Sequence, residues 1–124
     1  MTKQLGFSND EAIHMIENFK EIKGFLDHRE GKALYLYCKK YCVEGITAEI
    51  GSYCGKSACY LGQACKENNS YLYSVDHHRG SEEQQFGQEY FDEEIYDHEK
   101  GRVDTLPLFL KNIAIHNLEA VSYT

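Results

Sequence analysis

Glu49-Ile50-Gly51-Ser52-Tyr53-Cys54-Gly55-Lys56-Ser57 is the stretch whose reading decides how this chain folds. Two glycines four positions apart let a backbone turn sharply and approach a ligand closely, and the amides that open the next helix point the same way. Upstream, Gly45 punctuates the chain and Ile46–Ile50 reads as a short strand with a small apolar face. Downstream, Ala58, Leu61, Ala64 and Cys65 recur at helical spacing, and Asn68-Asn69-Ser70 ends that helix. Tyr71-Leu72-Tyr73-Ser74-Val75 is rich in β-formers and closes on Asp76. Strand, helix and strand in this order predict a parallel pair joined by a right-handed crossover, with ligands bound outside the carboxyl ends of the strands. Asp76 follows Gly55 by 21 positions, near the ~20 of a ribose-binding acid, whose carboxylate can accept two hydrogen bonds from a diol.

Two helices precede this unit. Ser8-Asn9-Asp10-Glu11 has the form of a capping box, and Ile13, Ile16, Phe19, Ile22 and Leu26 predict an amphipathic helix over about 9–25. Asp27-His28-Arg29-Glu30 repeats the acceptor-x-x-Glu pattern before a second helix, with Leu34, Cys38, Tyr41 and Cys42 on one side. Residues 77–102 are polar and acidic without a sustained period and read as a long loop, of the kind that is usually functional or mobile. Thr105 is placed to cap a further helix with Pro107 in its first turn and Leu106, Phe109, Leu110 and Ile113 on its buried face. Ala120-Val121-Ser122-Tyr123 then begins a third strand. The expected architecture is α/β, a parallel sheet of about three strands in the order 3-2-1 with two leading helices. Residues 1–44 form the helical segment packing on the sheet, and 45–124 form the ligand-binding βαβαβ half.

Two nucleotide motifs fail on spacing. A phosphate-binding P-loop needs G-x-x-x-x-G-K-S/T, and Gly51 to Gly55-Lys56-Ser57 is one residue short of wrapping two phosphates. The dinucleotide pattern G-x-G-x-x-G fails because Tyr53 sits where the second glycine admits a pyrophosphate.

The segment Glu49–Ala58 resembles motif I of class I S-adenosylmethionine-dependent methyltransferases, in the E-x-G-x-x-x-G-x-S form of small-molecule and catechol-type O-methyltransferases. The resemblance covers about 25–124. It takes in Glu30–Tyr35, the Tyr71–Asp76 strand, Asp76–Glu83 and Gly101–Pro107. It implies a partial Rossmann-like fold and a cofactor, S-adenosylmethionine, whose loop needs less clearance than a pyrophosphate does. By the resemblance Gly51, Ser52, Tyr53 and Gly55 would line the methionine part, Glu49 would lie near its amino group, Asp76 would hold the ribose hydroxyls and His77 would sit beside the adenosine. The residues alone leave simpler roles open, with Glu49 capping loop amides and Asp76 capping the next turn.

Composition narrows the partners. Net charge is −7 from 13 basic and 20 acidic residues, a field that repels phosphate backbones and anionic lipid, so neither nucleic acid nor a membrane is expected. No run reaches the ~18 apolar residues of a spanning helix, Met1–Asp10 lacks the apolar core of a signal peptide, and a cytoplasmic protein is expected. Five cysteines, an odd count without a C-x-x-C pair, read as buried thiols in a reducing compartment. Cys38 and Cys42 lack the second ligand pair that zinc needs. His77 and His78 are adjacent and on an extended chain point to opposite sides, so no metal is expected there.

The resemblance implies further strands beside the first, with the catalytic acids that follow them, and no catalytic base is assigned here. The expected function is methyl transfer to a small-molecule acceptor. The rival is a catalytically inert cofactor-binding or interaction module. A second copy or a complementing chain is expected at the open sheet edge, since an unpaired edge strand is usually covered.

Overall fold

The computed structural model describes residues 9–124. Helix α1 (Asn9–Glu17) tightens into a 3-10 turn (Asn18–Glu21) and is followed by α2 (His28–Tyr41), β1 (Ile46–Ile50), α3 (Lys56–Glu67) and β2 (Tyr71–Val75). Two further 3-10 turns, a small hairpin of β3 (Tyr96–Asp97) and β4 (Arg102–Val103), α4 (Leu106–Ile115) and β5 (Ser122–Tyr123) complete the described chain. Strands β1, β2 and β5 form one parallel sheet with β2 in the middle, registered Ile46 to Tyr71 and Leu72 to Ser122. The observed order is the expected 3-2-1, a partial Rossmann-like fold.

Several local expectations need correction, among them Leu110, which is half-exposed on α4 while Phe109 and Ile113 are buried. The first helix does not run to residue 25: it ends at Glu17, and the 3-10 turn rotates Phe19 into the core while Ile22 is already extended. The proposed capping box begins on Ser8, which lies outside the described residues. On α2 the buried stripe is Gly31, Tyr35 and Cys38, and Tyr41 is exposed. Tyr35 turns inward because its hydroxyl donates to the buried carboxylate of Glu67 at 2.6 Å, which Lys39 and Gln63 also reach. Thr105 makes no cap; the Leu106 amide donates to Asp104 Oδ1 instead, at 3.1 Å. The stretch 77–102 carries the β3–β4 hairpin and two 3-10 turns rather than a structureless loop.

Helix α3 is buried on nearly every side, sandwiched between the sheet and α2, so its apolar stripe is wider than the four residues its period predicts. Ile16, Phe19, Tyr35, Tyr60, Leu72, Phe109 and Leu118 meet in one core shared by the leading helices, α3 and the sheet. A second small core joins Cys54 of the glycine loop to Ile95 and Val103. The hairpin region is therefore packed onto the loop that the sequence singled out. Asn68, read as a helix terminator, also sends its side-chain amide to the last carbonyls of α2, including Lys39 at 3.0 Å and Cys42 at 3.1 Å.

The helices cover one sheet face. On the other, Ile46, Ile50, Tyr71, Tyr73 and Val75 are exposed, Ile50 at 87%. The inward face carries Thr47, Glu49 and Ser74, so polar side chains point toward α3 at the strand ends. Among the described residues no helix is long and apolar enough to cross a membrane.

Candidate functional site

At the carboxyl end of β1 the chain enters Gly51 with φ +84°, and the Gly51 amide donates to Val75 O across the sheet at 2.9 Å. A side chain built at Gly51 would meet nothing within 4 Å, so its backbone faces open space. Tyr53 also takes a positive φ of 48°, a conformation that costs a non-glycine residue about 1–3 kcal/mol unless its surroundings impose it. Asp76 imposes it. Its Oδ2 accepts the amides of Ser52 at 2.7 Å and Tyr53 at 3.1 Å and the Ser52 hydroxyl at 3.3 Å, while Oδ1 accepts the His78 amide at 2.8 Å. Burial works against the charged carboxylate, but the amides of Ser52, His78 and Tyr53 outweigh it and hold the group below its ordinary value.

Glu49 sits one level deeper. Its Oε2 accepts the Ser57 hydroxyl and its Oε1 the Ser74 hydroxyl, both at 2.8 Å. Burial pushes this carboxyl up; the two hydroxyls oppose the shift, and the nearby charge of Asp76 reinforces it. A raised carboxyl makes a stability contribution that is fully present below its unfolded value, near 4.5, and lost as pH rises through the folded one. Glu49→Gln is therefore expected to raise the thermal midpoint at pH 7, with the gain vanishing at acid pH. Melting curves of both proteins across that range check the sign.

Gly51, Ser52 and Tyr53, with Lys56 and Ser57, line one wall of a cleft of about 330 Å³; Gly24, Phe25, Leu26 and Glu30 line the other. The Phe25 ring, 79% exposed, stands 5.5 Å from that of Tyr53. A neighbouring hollow of about 390 Å³ shares Phe25 and is lined by Ser81, Glu83, Gln84 and Tyr90. A larger hollow of about 490 Å³ lies between the hairpin and α4 and touches no residue of the glycine loop. Of these three the cleft beside Gly51 is the better candidate, because it joins open backbone to the strand ends.

The structure thus brings together Gly51, Ser52 and Tyr53 in the cleft wall, with Asp76 bound to the last two and Glu49 bound to Ser57 and Ser74. Gly55 is elsewhere: it is buried, with φ +93°, and a side chain there would meet the Phe109 ring at 3.1 Å. The His77 side chain is 70% exposed, and its Nδ1 accepts the Arg79 amide at 3.0 Å. Its neighbour His78 is buried, with φ +61°. Its ring bonds the hydroxyls of Thr105 at 3.1 Å and Thr124 at 2.7 Å. That network pins the start of the 77–102 stretch, and nothing in the residue order distinguishes His78 from His77. Phe25, Glu30 and Lys56 were also missed as lining residues. Among the described residues no three His, Cys, Asp or Glu side chains converge as a metal site. Lys23 fastens the acidic stretch to the first segment by pairing with Asp92 and, at 3.1 Å, with Glu94.

A family model described as a methyltransferase domain matches residues 48–119, more than half of the chain, from within β1 to beyond α4. Parallel topology, strand order and that match agree, and the chain belongs to the class I S-adenosylmethionine-dependent methyltransferase family.

Proposed function

We propose that the cleft beside Gly51 binds S-adenosylmethionine and presents its methyl group to a small-molecule acceptor. The observation that carries this reading is the Asp76 carboxylate gathering the Ser52 and Tyr53 amides, which holds Gly51 open at the strand ends. A cleft of about 330 Å³ falls at the lower end of small-molecule sites, at about 300–1,000 Å³, and it shares Phe25 with the second hollow.

When bound, the cofactor supplies an electrophilic methyl on sulfur. The chain's own residues bind and orient. Gly51, Ser52 and Tyr53 would flank the methionine part, with Glu49 near its amino group, directly or through water. Asp76 Oδ2 is already filled by three donors, so a ribose hydroxyl donates to Oδ1, which holds one amide. His77 lies beside the adenosine. The hollow bounded by Phe25, Glu83 and Tyr90 would take the acceptor, where positioning an oxygen or nitrogen in line with the methyl would supply much of the rate.

Calorimetric titration with S-adenosylmethionine tests the reading. Saturable micromolar binding, about −8 kcal/mol, is expected; no heat from a folded, monodisperse sample defeats it. One observation favours the rival reading of an interaction module: the exposed apolar sheet face of Ile46, Ile50, Tyr73 and Val75. Sedimentation at increasing concentration reads whether a second copy covers it.

A further inference from the structure

Lys56 is the residue that the phosphate-loop comparison left unused. It opens α3, where the backbone amides already present partial positive charge and a lysine is unfavourable. No acidic residue lies in that first turn. The side chain is nevertheless buried, at 9% exposure, and its stem runs so close to Gly24 that a side chain there would meet it at 3.1 Å. Its Nζ has one partner, the Lys20 carbonyl at 3.3 Å, and no carboxylate pairs with it among the described residues. A lysine held in this place without a carboxylate partner is unfavourable, and an apolar residue would fill the same space. Lys56 lines the cleft together with Gly51 and Glu30.

We propose that Lys56 is the counter-ion for the carboxylate of the cofactor's amino-acid tail, so that the cleft recognises a zwitterion, with Lys56 on its acid and Glu30 or Glu49 on its amine. This rests on the methyltransferase reading above. It assigns to the lysine an anion smaller than the diphosphate that the shortened loop cannot wrap.

The test uses two ligands, S-adenosylmethionine and 5′-methylthioadenosine, the second of which lacks the amino-acid part and, with it, the sulfonium charge. Each is titrated into the full chain and into Lys56→Met, which keeps the apolar stem, and Lys56→Arg, which keeps the charge; melting curves verify that all three fold. A lost charge-assisted hydrogen bond predicts that Lys56→Met weakens S-adenosylmethionine roughly 10- to 100-fold. Methylthioadenosine is expected to change less than about twofold, and Lys56→Arg to recover much of the loss. Equal weakening of both ligands, or no change in either, overturns the assignment while leaving the cofactor reading standing. Failure of the unsubstituted chain to bind either ligand overturns both. Lysine-dependent binding of magnesium–ATP without S-adenosylmethionine binding would replace the carboxylate by a phosphate and also overturn it.

Discussion

Asp76→Ala is expected to lower the folding free energy by about 3 kcal/mol and to abolish cofactor binding in the same protein. Three backbone amides, of Ser52, Tyr53 and His78, lose their acceptor together. Tyr53 would keep its left-handed backbone with nothing to impose it. For a chain of 124 residues, that loss is a midpoint shift of roughly 10 °C. A residue acting only as a ribose ligand would lose binding and keep its melting temperature, so the two readouts separate the roles. The pH dependence carries a second signature. Asp76 is held below its ordinary 3.8, so its stabilisation is complete above that value and lost as pH falls through the folded one. The alanine variant should therefore be less stable than the parent at neutral pH and converge on it in acid. Asp76→Asn, which keeps one acceptor oxygen but turns an amide toward donors, is expected to fall between them.

Gly31→Ala is expected to destabilise the fold by about 2 kcal/mol, against the direction that helix propensity alone predicts. Alanine is better than glycine in a helix by about 1 kcal/mol. Here a methyl at position 31 would stand 2.4 Å from the ring carbons of Tyr60, where α2 crosses α3. Tyr60 cannot yield. It is fully buried, its hydroxyl is bound to His28 Nδ1 at 2.7 Å, and Phe19 packs edge-on against it at 5.2 Å. Overpacking of this kind costs about 1–3 kcal/mol, occasionally more, and outweighs propensity. Moving α2 outward would relieve the clash, but Glu30 lines the cleft from the adjoining position, so affinity for the cofactor should fall with stability. Denaturant unfolding together with titration measures both; an unchanged or raised midpoint would mean that α2 and α3 meet differently.

Strand bounds were the most legible feature of the sequence. Ile46–Ile50 and Tyr71–Val75 are delimited by Gly45, Gly51, Ser70 and Asp76, and local turn chemistry suffices to end them. The helix faces were less legible, because a face is defined by what packs on it. Tyr35 is buried through its bond to Glu67, thirty-two residues away, and a 3.6-residue period cannot register that. The 77–102 stretch is mostly polar, yet buried Ile95 within it, Val103 just beyond it and the Lys23 pairs fold it onto the loop.

The same division runs through the site. Order and spacing alone determined the α/β class, the parallel strands and the placing of Gly51 and Asp76 at adjacent strand ends, because turn residues and alternation act over a few neighbours. Tertiary structure decided what those residues do. It spent three of the four Asp76 contacts on the loop, set Gly55 under Phe109, chose His78 over His77 for burial and left Lys56 without a counter-ion in the cleft wall. Each of those outcomes depends on hydrogen bonds and packing between segments more than twenty residues apart, which no local pattern encodes.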